Sequence, residues 1–121
     1  MNPHQIWKVM GALSFAPHLI AVALSTALRP DYDHSTQYLS ELGERGSTTQ
    51  LLMNYGGIIP TGAMIAMFGL GLAIQFRRDR LALMAGLLIA LHGALRIAAG
   101  LFPCDTGCVP NIPSFSQQVH N

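Results

Sequence analysis

Apolar residues fall in three long blocks, and polar residues gather between and after them. Val9–Leu28 holds twenty residues without a formal charge. Leu52–Phe76 lies inside a charge-free run from Gly46 to Phe76. Leu81–Phe102 carries one histidine, His92, and one arginine, Arg96, in an otherwise apolar stretch. A helix rises about 1.5 Å per residue, so about 20 residues cross a hydrocarbon core about 30 Å thick. Backbone polar groups in lipid need partners within their own segment, so each block reads as a helix. The expected fold is therefore all-α: one integral membrane helical bundle with three transmembrane helices, an outer loop over 29–51 and an outer tail over 103–121.

Composition agrees with that pattern. Half of the 121 residues are hydrophobic and 11% are charged, against about 25% charged in a soluble domain. The net charge is +1, from one lysine and six arginines scattered along the chain. No basic patch points to nucleic acid. Charge asymmetry sets the orientation. Lys8, Arg77, Arg78 and Arg80 collect on one side. Arg29 and Arg45 on the other side stand beside Asp31, Asp33, Glu41, Glu44 and Asp105. The N-terminus and the Arg77–Arg80 turn are thus expected in the cytoplasm, in a multi-pass protein of the inner (plasma) membrane. A cleaved signal peptide, with Ser25 and Ala27 before the cut, is the competing reading of the first block. The length of the block and its Pro17-His18 interruption weigh against it.

Small residues recur at a step of four in the third block: Ala82, Gly86, Ala90, Ala94 and Ala98. The second block has Gly62 and Ala66, with Gly56, Gly57, Gly69 and Gly71; the first has Ala12 and Ala16, then Ala21 and Ser25. Such spacing lets helix backbones approach closely in lipid. Pro17 and Pro60 are expected to kink their helices. The four-residue turn at 77–80 makes the second and third helices antiparallel neighbours. In the long loop, Tyr38-Leu39-Ser40-Glu41-Leu42-Gly43 reads as a short amphipathic helix ended by Gly43, lying at the interface.

Several residues carry candidate chemistry. His18 and His92 fall near the middle of their blocks, and two histidines at one depth can hold a b-type haem; a buried histidine bonded to a neighbouring helix is the plainer reading. An arginine within a membrane span needs a partner or a purpose. Arg96, four residues beyond His92, can snorkel toward Glu41, Glu44 or Asp105 as an ion pair. It can equally bind a lipid phosphate or a carboxylate. Cys104 and Cys108 are the only cysteines. A local disulfide is the leading reading for a side where disulfides persist. A redox pair, or zinc held with His120, are alternatives. Ser116 and His120 form a Ser-x-x-x-His spacing found in some membrane zinc hydrolases, although the further metal ligands are missing; the capped start of a helix is the commoner cause.

Ser40-Glu41-Leu42-Gly43 after the first block, Phe102-Pro103-Cys104-Asp105 with Cys108 after the third, and His120-Asn121 together resemble the prokaryotic domain-of-unknown-function family 998. The resemblance runs from about Pro30 to the end, and its most specific part is the Phe-Pro-Cys-Asp-x-Gly-Cys segment. It implies a multi-pass membrane protein of about six helices, so this chain is expected to be truncated after the third. It implies no particular activity. The matching positions are Ser40, Glu41, Gly43, Cys104, Asp105, Cys108 and His120, and they are expected to form one outer polar cluster with Arg96. Ser40, Glu41, Arg96, Asp105 and His120 are its candidate site residues, beside the Cys104–Cys108 disulfide that the residues themselves suggest, and no metal is expected. The leading expectation is a non-enzymatic component that binds a lipid or small anion, or serves transport. It needs no cofactor, its partners are the bilayer and that ligand, and homo-oligomers are expected. A hydrolase-like Glu/Asp/His cluster and a b-haem carrier are the alternatives.

Overall fold

A computed structural model describes residues 2–121. Helix α1 spans Pro3–Leu13 and α2 spans Ala16–Leu28. A 310 turn covers Leu39–Gly43. A π-helical segment, Leu52–Ile58, runs directly into α3, Ile59–Gln75. Then come α4, Arg80–Leu101, and the short α5, Phe115–His120. No strand occurs among the described residues. Gln5–Leu28, Leu52–Gln75 and Arg80–Leu101 are long and apolar enough to cross a membrane. The fold is an all-α membrane helical bundle.

Its exposure pattern is that of a protein made for hydrocarbon. Leu19, Ile20, Leu28, Ile74, Leu81 and Leu88 are exposed, whereas Ser14, Ser25, Asn54 and Thr61 are buried. Water would penalise that arrangement; lipid tails do not, and they favour turning polar groups inward.

The helix irregularities do not centre on the prolines. The first apolar block breaks at Ser14–Phe15 rather than bending at Pro17. Ser14 Oγ donates to the Gly11 carbonyl at 2.9 Å, closing the end of α1. Pro17 then falls in the first turn of α2, where its missing N–H deprives no carbonyl of a partner. Pro60 likewise sits in the first turn of α3. The distortion lies just before it, in the π turn, where the Ile59 N–H reaches five residues back to the Asn54 carbonyl. A Cβ added to Gly57 in that segment would lie 2.7 Å from the Ala21 Cβ, so α2 crosses closely there.

Helices α3 and α4 form the backbone of the bundle. Asp79 Oδ1 caps α4, accepting from the Leu81 and Ala82 N–H groups at 2.9 and 3.1 Å. Along the shared face, Gly62, Ala66, Gly69 and Ala73 meet Gly86, Ala90 and Gly93. A Cβ on Gly86 would stand 2.6 Å from the Ala73 nitrogen and 2.7 Å from the Gly69 carbonyl oxygen. Both are backbone atoms, so no side-chain rearrangement makes room. The contact residues on α4 depart from the expected four-residue stripe. Gly86 and Ala90 belong to it, but Ala94 is exposed, and the contact continues through Gly93 and then Gly100 against Ile58 and Ile59. At 3.6 residues per turn, a four-residue step winds about 40° round the helix, whereas a seven-residue step drifts only about 20°. The heptad Gly86, Gly93, Gly100 therefore stays on one line. On the far side of α3, Trp7 of α1 packs on Phe68 with ring centroids 5.7 Å apart.

Candidate functional site

The polar residues concentrate at the end of the bundle that carries the long loop and the tail. Arg29, at the end of α2, ties the loop down. Its Nη1 donates to the Glu41 carbonyl at 2.8 Å and lies 3.6 Å from Glu44 Oε1; its Nη2 is 3.8 Å from Asp31. The Glu41 carboxylate accepts from the Tyr38 N–H at 2.9 Å and from Gln37 Nε2 at 2.8 Å, holding the start of the 310 turn. Leu42, wholly buried, plugs the turn into a core of Ala21, Met53 and Ile58. Thr49 Oγ1 donates to the Leu42 carbonyl at 2.7 Å, and Asn54 Nδ2 to the Gly43 carbonyl at 2.9 Å. A side chain on Gly43 would collide with Asn54 Oδ1. The segment expected to lie as an amphipathic helix at the interface is instead this buried turn: five residues are too few for an independent helix, and Leu42 gains more in the core.

The tail folds back on the same end. The Arg45 N–H donates to the Cys104 carbonyl at 2.9 Å, and the Gly107 N–H to Glu44 Oε2 at 2.6 Å. Cys104 and Cys108 are joined as a disulfide; the turn between them needs positive φ at Gly107 (76°). Asp105 accepts from the Ser114 N–H at 2.8 Å and from Ser114 Oγ at 2.7 Å. These two bonds hold its carboxyl below the usual range, with Arg45 adding a smaller pull. Ser116 Oγ donates to the Pro103 carbonyl at 2.6 Å, and Gln117 bridges the Asp105 N–H and the Cys108 carbonyl.

This wiring corrects the expected partner of Arg96. Glu41 and Glu44 are engaged by Arg29 and by loop backbone, and Asp105 holds the start of α5 and stands 4.0 Å from Arg45. Among the described residues no carboxylate pairs with Arg96. The cause is reach: Arg29 ends α2 where the loop begins, whereas Arg96 stands more than a turn inside α4.

Arg96 instead lines a cavity of about 230 Å³ with His18, Ser40 and His120, walled by Leu39, Met53, Ile58 and Ala99. Its Nη2 lies 3.5 Å from His18 Nδ1, a long contact, and its buried Nε has no hydrogen-bond partner among the described residues. His120 is held from behind. Its Nδ1 is 3.0 Å from the carbonyl oxygens of both Ala99 and Phe102, at the end of α4. A second recess, about 310 Å³, shares Ser40 and His120 and opens toward Tyr38, Val109 and Asn121. A larger bowl of about 450 Å³ lies by Arg29, Asp31, Glu44 and Arg45. Its charges already pair with one another or with Asp105, so it leaves no unmet electrostatic demand.

Of the expected cluster, then, Ser40, Arg96 and His120 come together, while Glu41 and Asp105 stay in the loop and tail scaffold. A Glu/Asp/His hydrolytic centre has no free carboxylate here. His18 joins the cavity and His92 does not: His92 is on the exposed side of α4. The two histidines share no site, which removes the geometric basis for a bis-histidine haem. Among the described residues no group of three or more His, Cys, Asp or Glu side chains is placed to hold a metal. The two sulfurs proposed as zinc ligands are bonded to each other. His18 was visible in the sequence only as a mid-span histidine; its 78-residue separation from Arg96 left no local signal of the pairing.

No curated protein and no solved structure matches the chain. Residues 9–121 match the family model described as protein of unknown function (DUF998), and the chain belongs to that family.

Proposed function

We propose that this protein is a non-enzymatic component of the plasma membrane that binds the anionic group of a lipid or other small amphiphile around Arg96. The observation that carries the reading is Arg96 itself: partly buried near the end of an apolar helix and, among the described residues, without a carboxylate and with a buried Nε that has no partner. Arginine is never neutral in a protein. Withdrawing a cation from water costs several kcal/mol unless an opposite charge offsets it. With Glu41, Glu44 and Asp105 engaged elsewhere, an anion from outside the chain is the remaining source. The apolar wall of Leu39, Met53, Ile58 and Ala99 suits an amphiphile better than a bare ion. The basic residues Lys8, Arg77, Arg78 and Arg80 support an N-terminus in the cytoplasm. The three apolar stretches then cross the bilayer, and the cavity opens on the outer side.

Native mass spectrometry from mixed micelles of anionic and zwitterionic lipid tests the reading. The wild type retains an anionic lipid, and Arg96→Gln retains it about ten-fold less or worse, as expected for losing one charge-assisted contact. Equal retention by the two, with matching helicity, overturns the proposal.

A further inference from the structure

The hydrogen-bond polarity of the cavity defines the ligand more closely than charge does. Two of its ring nitrogens have their roles set by what faces them. His120 Nδ1 lies 3.0 Å from two carbonyl oxygens, which only accept, so that nitrogen carries the proton. In the neutral ring Nε2 is then an acceptor, and His120 lines both recesses. His18 shows the opposite assignment. Its Nδ1 faces Arg96 Nη2, and a guanidinium has no lone pair to offer. His18 Nδ1 therefore accepts, and Nε2 carries the proton as a donor.

With the His120 ring neutral, the cavity thus presents donors from Arg96 and His18 and one acceptor from His120. Ser40 can serve either way. A simple anion satisfies the donors and leaves His120 facing only other acceptors. A ligand that pairs an oxyanion with its own hydroxyl satisfies both sets. From this complementarity we infer that the ligand is an anionic phosphodiester lipid whose headgroup also carries a hydroxyl, with the phosphate on Arg96 and His18 and the hydroxyl donated to His120 Nε2. The inference rests on the anion reading above and adds the second contact. It also gives the tail a role: α5 places His120 against the end of α4, so the residues that fold back after the disulfide complete the headgroup site.

The test compares three lipids with matched acyl chains in detergent: phosphatidylglycerol, phosphatidylmethanol and phosphatidylcholine. All three carry a charged phosphodiester, but only in phosphatidylcholine does a quaternary ammonium offset it, and only phosphatidylglycerol has headgroup hydroxyls. Wild-type protein is expected to retain phosphatidylglycerol about three- to ten-fold better than phosphatidylmethanol, the range for one neutral hydrogen bond, and both better than phosphatidylcholine. In His120→Phe the preference for phosphatidylglycerol over phosphatidylmethanol falls to about one, while both still exceed phosphatidylcholine. Equal retention of the two anionic lipids by the wild type overturns the hydroxyl contact and leaves the anion reading standing. No preference for either over phosphatidylcholine overturns both. The wild-type comparison needs no folded variant, so a misfolded His120→Phe does not shelter the claim. A competition with free glycerol 3-phosphate separates the sources. It should displace the lipid poorly; displacement at concentrations equal to the lipid's means that the headgroup alone is recognised and overturns the lipid assignment.

Discussion

Replacing Gly93 with alanine probes the interface that holds the bundle together. The added Cβ would stand 2.5 Å from the Gly62 carbonyl oxygen and 2.8 Å from the Ala66 Cα, and against the Ala66 nitrogen as well. Ordinary contact begins at 3.4 Å, so α3 and α4 must part locally by roughly 1 Å, a strain in the class of overpacked cores. A gap of that size forfeits about a quarter to a half of each neighbouring dispersion contact. Overpacking costs about 1–3 kcal/mol. Alanine's better helix preference opposes it by about 1 kcal/mol, leaving a net loss of about 0–2 kcal/mol. Titration with a denaturing detergent, followed by circular dichroism, reads that loss directly. Gly56→Ala is the control, because its Cβ would meet only Leu52 Cδ1 at 3.4 Å. If Gly93→Ala instead gains the helix-preference increment of about 1 kcal/mol, the close α3–α4 approach is wrong.

Arg29→Gln removes the donor to the Glu41 carbonyl and the cation beside Glu44, and should cost about 1.5–3 kcal/mol; faster proteolysis within residues 29–51, with the helices intact, is the expected readout. Asp105 should make the tail acid-sensitive. Its folded carboxyl lies below the ordinary range, so its stabilisation is complete above about pH 4 and is lost as pH falls through the lower folded value. Amide exchange over 115–120 should therefore accelerate in that acid window, and Asp105→Asn should abolish the step.

The membrane bundle was legible because lipid imposes a one-dimensional signal: long runs without charge have few other uses in a chain with 11% charged residues. The end-of-bundle wiring was not legible, because it depends on which of several cations meets which of several acids. Arg96 drew attention by its position inside an apolar run, but Arg29, at the end of its helix, is the one within reach of the loop. The glycine interface was partly visible. Gly86 and Ala90 stood in the four-residue stripe, whereas Gly93 and Gly100 became evident only once the line of contact followed the heptad. The cavity histidines show the same limit. His120 lay in a segment already marked by the family resemblance, but its fixed tautomer comes from two α4 carbonyls that no sequence pattern links to it.

The most direct test of the central claim is the distance between the Arg96 guanidinium and a lipid phosphorus. Protein carrying ¹³C,¹⁵N-arginine, reconstituted in phosphatidylglycerol bilayers, would be measured by solid-state ³¹P-dephased NMR, with Arg96→Gln identifying the Arg96 signal. Strong dephasing of the Arg96 Cζ, matching direct hydrogen-bonded contact with phosphate, is the predicted result. An Arg96 signal that phosphorus leaves untouched, while Arg77, Arg78 and Arg80 at the bundle's other end respond to the headgroups, would contradict it.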